Sequence, residues 1–257
     1  MSALVPGEPR VLIVTPYYRE PRATLERCIA SVAAQSVPTA HLLVADGHPV
    51  DWIGDHAVRH IALDRAHGNF GNTPRAIGLM AGIGEGYDAI GLLDADNWID
   101  HDHVATCLAT AQQFPSADYI IAQRRFCRVD GSVMPLADEP VEVHVDTSCF
   151  FFLPGSYAAL PLWGTMPDGV SPMCDRIFYA AIRARGLVAA CTGRTTVNFE
   201  VSLTHLYERL GEEPPERAKD GLDVAAIVLW LESLTPRERA IVERRAGVSL
   251  DIAPPGD

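Results

Sequence analysis

An α/β fold with a mostly parallel central sheet flanked by helices is predicted by three observations. Short β-branched apolar runs alternate with segments of helical periodicity, the runs are continuous rather than in–out alternating, and each ends in a loop rich in Gly, Pro, Asp or Asn. The chain's 257 residues suffice for one large domain with an appendage. Residues 10–15 (RVLIVT) read as a central strand stopping at Pro16, with the first strand-to-helix loop near 15–22. From Thr24 the apolar residues Leu25, Cys28, Ile29 and Val32 follow helical spacing. A strand at 41–45 stops at Asp46-Gly47, and a weaker one follows near 59–63. The HGNFGN loop at 67–72 precedes a helix for which Thr73 is the expected cap and Pro74 the first residue, with Ile77, Met80 and Ala81 as its buried stripe. The next strand is AIGLLDAD.

Further on, a helix is expected at 102–113, strands at 118–126 and 149–154, and a Gly/Pro-rich loop at 161–172. A helix buried through Cys174, Ile177, Phe178, Ala181 and Ile182 and a strand at 195–201 leading to His205 complete a domain at 1–210. A charged, proline-rich extension at 211–257 carries two amphipathic helices, the second opened by the capping box Thr235-Pro236-Arg237-Glu238.

Composition narrows the function. A net charge of −12 disfavours a nucleic-acid binder, which needs a basic face. No apolar run is long enough for a membrane span, and the first residues lack a basic-then-apolar leader, so a cytoplasmic location is expected. Cys28, Cys107, Cys127, Cys149, Cys174 and Cys191 show no metal or redox spacing and read as small apolar residues. Neither G-x-G-x-x-G nor G-x-x-x-x-G-K-[ST] occurs, which disfavours dinucleotide and P-loop chemistry.

The pair Asp94 and Asp96 is the chemical focus. Two carboxylates one residue apart, where a buried strand meets its C-terminal loop, lie at the usual ligand site of an open α/β sheet. Their oxygens suit Mg²⁺ or Mn²⁺, and those ions suit diphosphates. Asp100-His101-Asp102-His103 reads as a solvated cap of the next helix, and Trp163 as either a sugar-stacking residue or loop packing.

Taken together, VLIVTPYYREPRATLERCIASVAAQSVPTAHLLVADG and TPRAIGLMAGIGEGYDAIGLLDADNW resemble the inverting family 2 glycosyltransferases with a GT-A fold, over roughly the first hundred residues. The resemblance implies a Rossmann-like nucleotide-binding half and a nucleotide-sugar donor, UDP- or GDP-linked. Pro16 and Tyr17 would line the nucleotide, Asp46 would recognise the base, and Arg75 would stand near the donor phosphates or sugar. Asp94 would touch the ribose or sugar, Asp96 would hold the metal, and His205 could be a further metal ligand. Ala45 and Ala76 stand where the family often has Asp and Asn. Inversion requires a base facing the acceptor hydroxyl; Asp175, in Cys174-Asp175-Arg176, is the candidate, with Asp168 as the alternative. The implied function is metal-dependent transfer to an acceptor hydroxyl. The rivals are a sugar-phosphate nucleotidyltransferase and a non-catalytic nucleotide-sugar-binding module.

Overall fold

The strand expected at the start of the domain, β1 (Val11–Tyr17), is buried along its whole length, between β2 (Thr39–Ala45) and β4 (Ala89–Leu92), parallel to both. β3 (Arg59–Ala62) extends this parallel half beyond β2. Beyond β4 the sheet changes sense. β7 (Phe150–Phe152) is antiparallel to β4 and to β6 (Tyr119–Cys127), whereas β8 (Ala189–Glu200) runs parallel to β6 and carries the short β5 (Trp98–Ile99) at the edge. The sheet order is β3-β2-β1-β4-β7-β6-β8-β5. The computed structural model describes residues 8–251.

Pro16 does not end β1, contrary to expectation. Tyr17 accepts from the Asp46 amide on the β2 side, so Pro16, one residue earlier in the pleat, faces the β4 side. Pairing with β4 stops at Val14–Leu92 there, and proline's missing N–H leaves no ladder bond broken.

Helix α1 (Arg22–Ala33) buries Leu25, Cys28, Ile29 and Val32 as its spacing predicts. Helix α2 (Asn72–Gly84) departs from the expected face. It buries Pro74, Arg75, Ala76, Gly78, Leu79 and Gly82, while Met80 is exposed. The reason is close approach to the sheet: a Cβ on Gly78 would lie 2.4 Å from Val14, and one on Gly82 2.7 Å from Leu12. Small residues face the strands, and the large ones turn aside. Nor does Thr73 cap this helix. Asn69 accepts from the Thr73 amide at 3.2 Å and donates to its hydroxyl at 2.8 Å.

Helix α3 (His103–Gln113) covers β6 and β8, and His103 is buried against Thr196 (2.8 Å) rather than solvated. Burial lowers its imidazole to about 4. Asp100 bonds Asn198 (2.8 Å) and pairs with Arg125, so the 100–103 run ties α3 to the sheet instead of capping it in water.

The segment read as a loop at 161–172 holds a short helix, α4 (Leu162–Thr165), and a 3₁₀ turn at 168–173. Helix α5 (Cys174–Ala184) follows, with the expected apolar stripe. Phe178 stacks on Trp163 at 4.4 Å and meets Phe150 and Phe152 edge-on, both at 5.7 Å. Losing such a ring costs about 3–5 kcal/mol, and this contact sets where the first turn of α5 lies.

Helices α6 (Thr204–Glu208), α7 (Val224–Ser233) and α8 (Pro236–Ala246) follow β8. The capping box of Thr235 and Glu238 forms as expected. Tight packing fixes this region to the rest: a Cβ on Gly169 would stand 2.5 Å from Trp230, and one on Gly247 2.7 Å from Leu162. Among the described residues no helix is long and apolar enough to cross a membrane.

Candidate donor and acceptor site

Asp94 and Asp96 sit where the sequence puts them, in the turn that leaves β4, closed by the Asn97 amide on the Asp94 carbonyl (2.9 Å). The turn is held from several sides. Ser148 accepts from the Asp94 amide (3.1 Å) and the Asn97 side chain (2.9 Å), and Asn97 accepts from the Glu200 amide (3.0 Å). Arg27 donates to the Asp96 carbonyl (3.1 Å), pairs with Glu200 and lies 3.9 Å over the Trp98 ring. A neutral hydrogen bond of this kind contributes about 0.5–1.5 kcal/mol and one from the Arg27 guanidinium about 1.5–3 kcal/mol, so the carboxylates are presented by a rigid turn.

A cavity of about 380 Å³ opens beside this turn, lined by Pro16, Tyr17, Asp46, Arg75, Asp94 and Asp96, and also by Tyr18, Glu20, Phe70 and Lys219. The six nucleotide-site candidates read from the sequence therefore converge, although they come from four separate strand ends and helices. Tyr17 is buried as a wall: its hydroxyl meets His60 (2.9 Å) and the Val50 amide (3.2 Å). The carboxylate of Asp46 is engaged by the 67–68 loop, accepting from the amides of His67 (2.9 Å) and Gly68 (3.1 Å) and lying 2.9 Å from the His67 ring. Asp46 thus shapes the loop that carries Phe70, an exposed ring held at φ +57.

Arg75 is buried and pairs with Asp94 at 2.8 Å. It donates to Asn72 (3.2 Å), and its guanidinium lies 4.6 Å over Trp163. Trp163, itself fully buried, serves as the platform beneath Arg75 and is unavailable to stack on a sugar. Although burial works against its charge, Asp94 first among the nearby anions keeps the Arg75 guanidinium firmly protonated.

Asp96 is the electrostatic outlier. Desolvation first, then the charges of Asp94, Glu200, Glu20 and Asp146, push its carboxyl up to about 7. No described side chain donates to it; Arg27 reaches only its carbonyl. A half-buried carboxylate crowded by other carboxylates, with no cation of its own, suits a hard divalent cation. Among the described residues no three His, Cys, Asp or Glu side chains converge as a metal cage. A Mg²⁺ or Mn²⁺ site that takes most of its oxygens from phosphate and water needs only one or two carboxylates.

Asp175, in the first turn of α5, accepts from His144 Nε2 (2.7 Å) and the Arg176 amide (2.7 Å). His144 Nδ1 lies 3.0 Å from Glu139, which also pairs with Arg176. Desolvation raises the Asp175 carboxyl, but the hydrogen bond and charge of His144 and the Arg176 backbone outweigh it, leaving the group below the ordinary carboxylate range. Asp175 acts electrostatically on both Arg75 and the buried Asp146. Its partner His144 lines a second cavity of about 470 Å³, together with Arg124, Glu139, Glu142 and Asp146 among others. Asp168 is exposed whereas Asp175 is half-buried; neither lines either cavity. Cys174 is buried, its thiol pushed up to about 12 chiefly by desolvation, so it is inert beside its neighbour.

His205 lies on α6, its ring against Gly221, where a Cβ would stand 3.3 Å from Nδ1; it does not line the donor cavity. Sequence reading did not single out His144, Asp146, Arg124 or Lys219. None belongs to a recognisable motif, and only the pairing of β6 with β8 and the return of the 211–221 segment bring them to the site.

The fold and this constellation define a glycosyltransferase of the GT-A type. The model of glycosyl transferase family 2 matches residues 12–174, well over half of the chain, and the chain belongs to that family. No curated protein matches it. Among solved structures, S. aureus TarS 1-349 in complex with UDP aligns at 12% identity with a TM-score of 0.55, over 92% of this chain and 70% of that one. The longer S. aureus TarS structure aligns at 11% identity and 0.55, over 92% and 42%. TarS 1-349 in complex with UDP-GlcNAc aligns at 10% identity and 0.51, over 92% and 71%. At these identities the likeness is one of fold.

Proposed function

We propose that this chain transfers a sugar from a nucleoside-diphosphate sugar to an acceptor hydroxyl, with divalent-cation dependence and inversion at the anomeric carbon. The observation that carries the reading is the placement of Asp175. It comes from far along the chain into the field of Arg75, which pairs with Asp94 in the wall of the donor cavity, and it is hydrogen-bonded at 2.7 Å to His144, which lines the second cavity. Direct displacement requires a base on the acceptor side and the donor on the other, and in this reading Asp175 and the Asp94–Asp96 cavity supply the two.

In this reading Pro16, Tyr17, Tyr18 and Phe70 wall the nucleoside, and Asp46 holds the loop against it. Arg75 holds Asp94 oriented towards the ribose or sugar. Asp96 supplies the protein's anchoring carboxylate for Mn²⁺ or Mg²⁺, which when bound neutralises charge on the departing diphosphate. His205 is a further candidate ligand, one residue past Thr204, which bonds the Lys219 backbone at the cavity wall. Asp175 takes the acceptor proton, and His144 orients the carboxylate that receives it. TarS structures bind UDP and UDP-GlcNAc, so UDP is the first probe, with GDP next.

The test is UDP binding by calorimetry with and without Mn²⁺, followed by release of UDP from UDP-sugars with and without acceptors. Asp175→Asn is expected to bind UDP like the wild type and to lose about 10²- to 10⁴-fold in transfer, and NMR of the product should show an inverted anomeric centre. Undiminished transfer by Asp175→Asn, or a retained anomeric configuration, would overturn the assignment.

A further inference from the structure

We infer that Lys219 binds the diphosphate of the donor, an inference that rests on the donor cavity proposed above. Lys219 is the only lysine among the 21 basic residues of the chain, and it lines that cavity. Glu20, Asp46, Asp94 and Asp96 line it as well, so an incoming polyanion meets carboxylates on several sides. The other cation in the wall, Arg75, is buried and committed to Asp94 and the Trp163 face. The Lys219 ammonium is exposed and forms no ion pair among the described residues.

Its backbone is fixed while its side chain is free. The Lys219 amide donates to Ser202 at 2.6 Å, and its carbonyl accepts from the Thr204 amide at 3.0 Å and hydroxyl at 3.2 Å. A parallel bridge joins Leu203 to Lys219. An otherwise irregular segment, 211–223, is thereby clipped to the end of the sheet at the residue that faces the cavity. A flexible stem carrying a compact charge from an anchored backbone suits a phosphate group whose position changes between bound donor and departing diphosphate.

The unique lysine makes the test direct, because an amine-selective acylating reagent has only Lys219 and the N-terminal amine to modify. UDP with Mn²⁺ is expected to slow labelling of Lys219, read by peptide mass spectrometry, without slowing that of the N-terminal amine. Lys219→Ala should raise the Kd for UDP about ten- to a hundredfold, the worth of one charge-assisted bond. Lys219→Arg should recover part of the loss. Equal UDP affinity in wild type and Lys219→Ala, with labelling unprotected, would overturn the role of Lys219 while leaving the donor cavity standing. Failure of the wild type to bind UDP, GDP, CDP or dTDP would overturn both.

Discussion

In the metal-free protein, ionising Asp96 should cost stability, and the size of that cost follows from its surroundings. Its carboxyl is moved from 3.8 to about 7 by desolvation and by Asp94, Glu200, Glu20 and Asp146. Below pH 3.8 both folded and unfolded chains hold the proton, and nothing is lost. Between there and about pH 7 the folded chain keeps a proton the unfolded chain has released, so stability falls as pH rises, then levels off. At about 1.36 kcal/mol per unit, the span corresponds to roughly 4 kcal/mol. Because the side chain is partly exposed to solvent, about 2–4 kcal/mol is expected, or roughly 5–15 °C in Tm for a chain of this size.

Asp96→Asn cannot ionise, so without metal its Tm should exceed that of the wild type by a gap that widens from pH 5 to pH 8. Adding Mn²⁺ should close the gap by raising the wild type alone. Differential scanning fluorimetry across pH, with EDTA or Mn²⁺, measures both effects. If the two proteins track in parallel across pH without metal, Asp96 does not sit in the crowded field described.

Three further outcomes follow from particular contacts. Removing the hydrogen bond that His144 donates lets desolvation dominate at Asp175 and raises its carboxyl, so in His144→Gln the acid limb of the kcat/KM profile should move to higher pH; an unmoved limb would disconnect His144 from the base. Phe70→Gly releases a left-handed backbone worth about 1–2 kcal/mol in a non-glycine residue, offset in part by the entropy of glycine. A net stabilisation on the order of 0.5–1 kcal/mol in a urea melt, together with weaker UDP binding, is expected, and unchanged binding would remove the ring from the nucleoside wall. Gly78→Ala gains about 1 kcal/mol of helix propensity but drives a methyl to within 2.4 Å of Val14, an overpacking cost of about 1–3 kcal/mol. Net destabilisation by urea melt should accompany weaker UDP binding, because Arg75 rides on the same helix.

Much of the parallel half was legible in the sequence. Continuous apolar runs become strands buried on both faces, and the positions of Leu25, Cys28, Ile29 and Val32 settle α1 because a 3.6-residue period admits one buried stripe. The capping box at Thr235 could be read because all its partners lie within one helical turn. The face of α2 could not. Periodicity ranks residues by hydrophobicity, whereas the spacing between helix and sheet selected Gly78 and Gly82 over Met80. Pro16 was misread because its missing N–H matters only if a neighbouring strand is there to receive it.

The site divides along the same line. By itself the sequence determined where the candidate residues near strand ends lie: Asp94 and Asp96 follow a buried run, and that local pattern implies a loop at the sheet's carboxyl edge. Only the tertiary structure decided which distant groups surround them. The elevation of Asp96 comes first from desolvation by packing and, beyond its neighbour Asp94, from Glu200, Glu20 and Asp146; Asp175 is held by His144, and the guanidinium of Arg75 lies over Trp163. Charge interactions and desolvation depend on distance in space and on the volume excluded by packing, and neither quantity is encoded in any short stretch of chain.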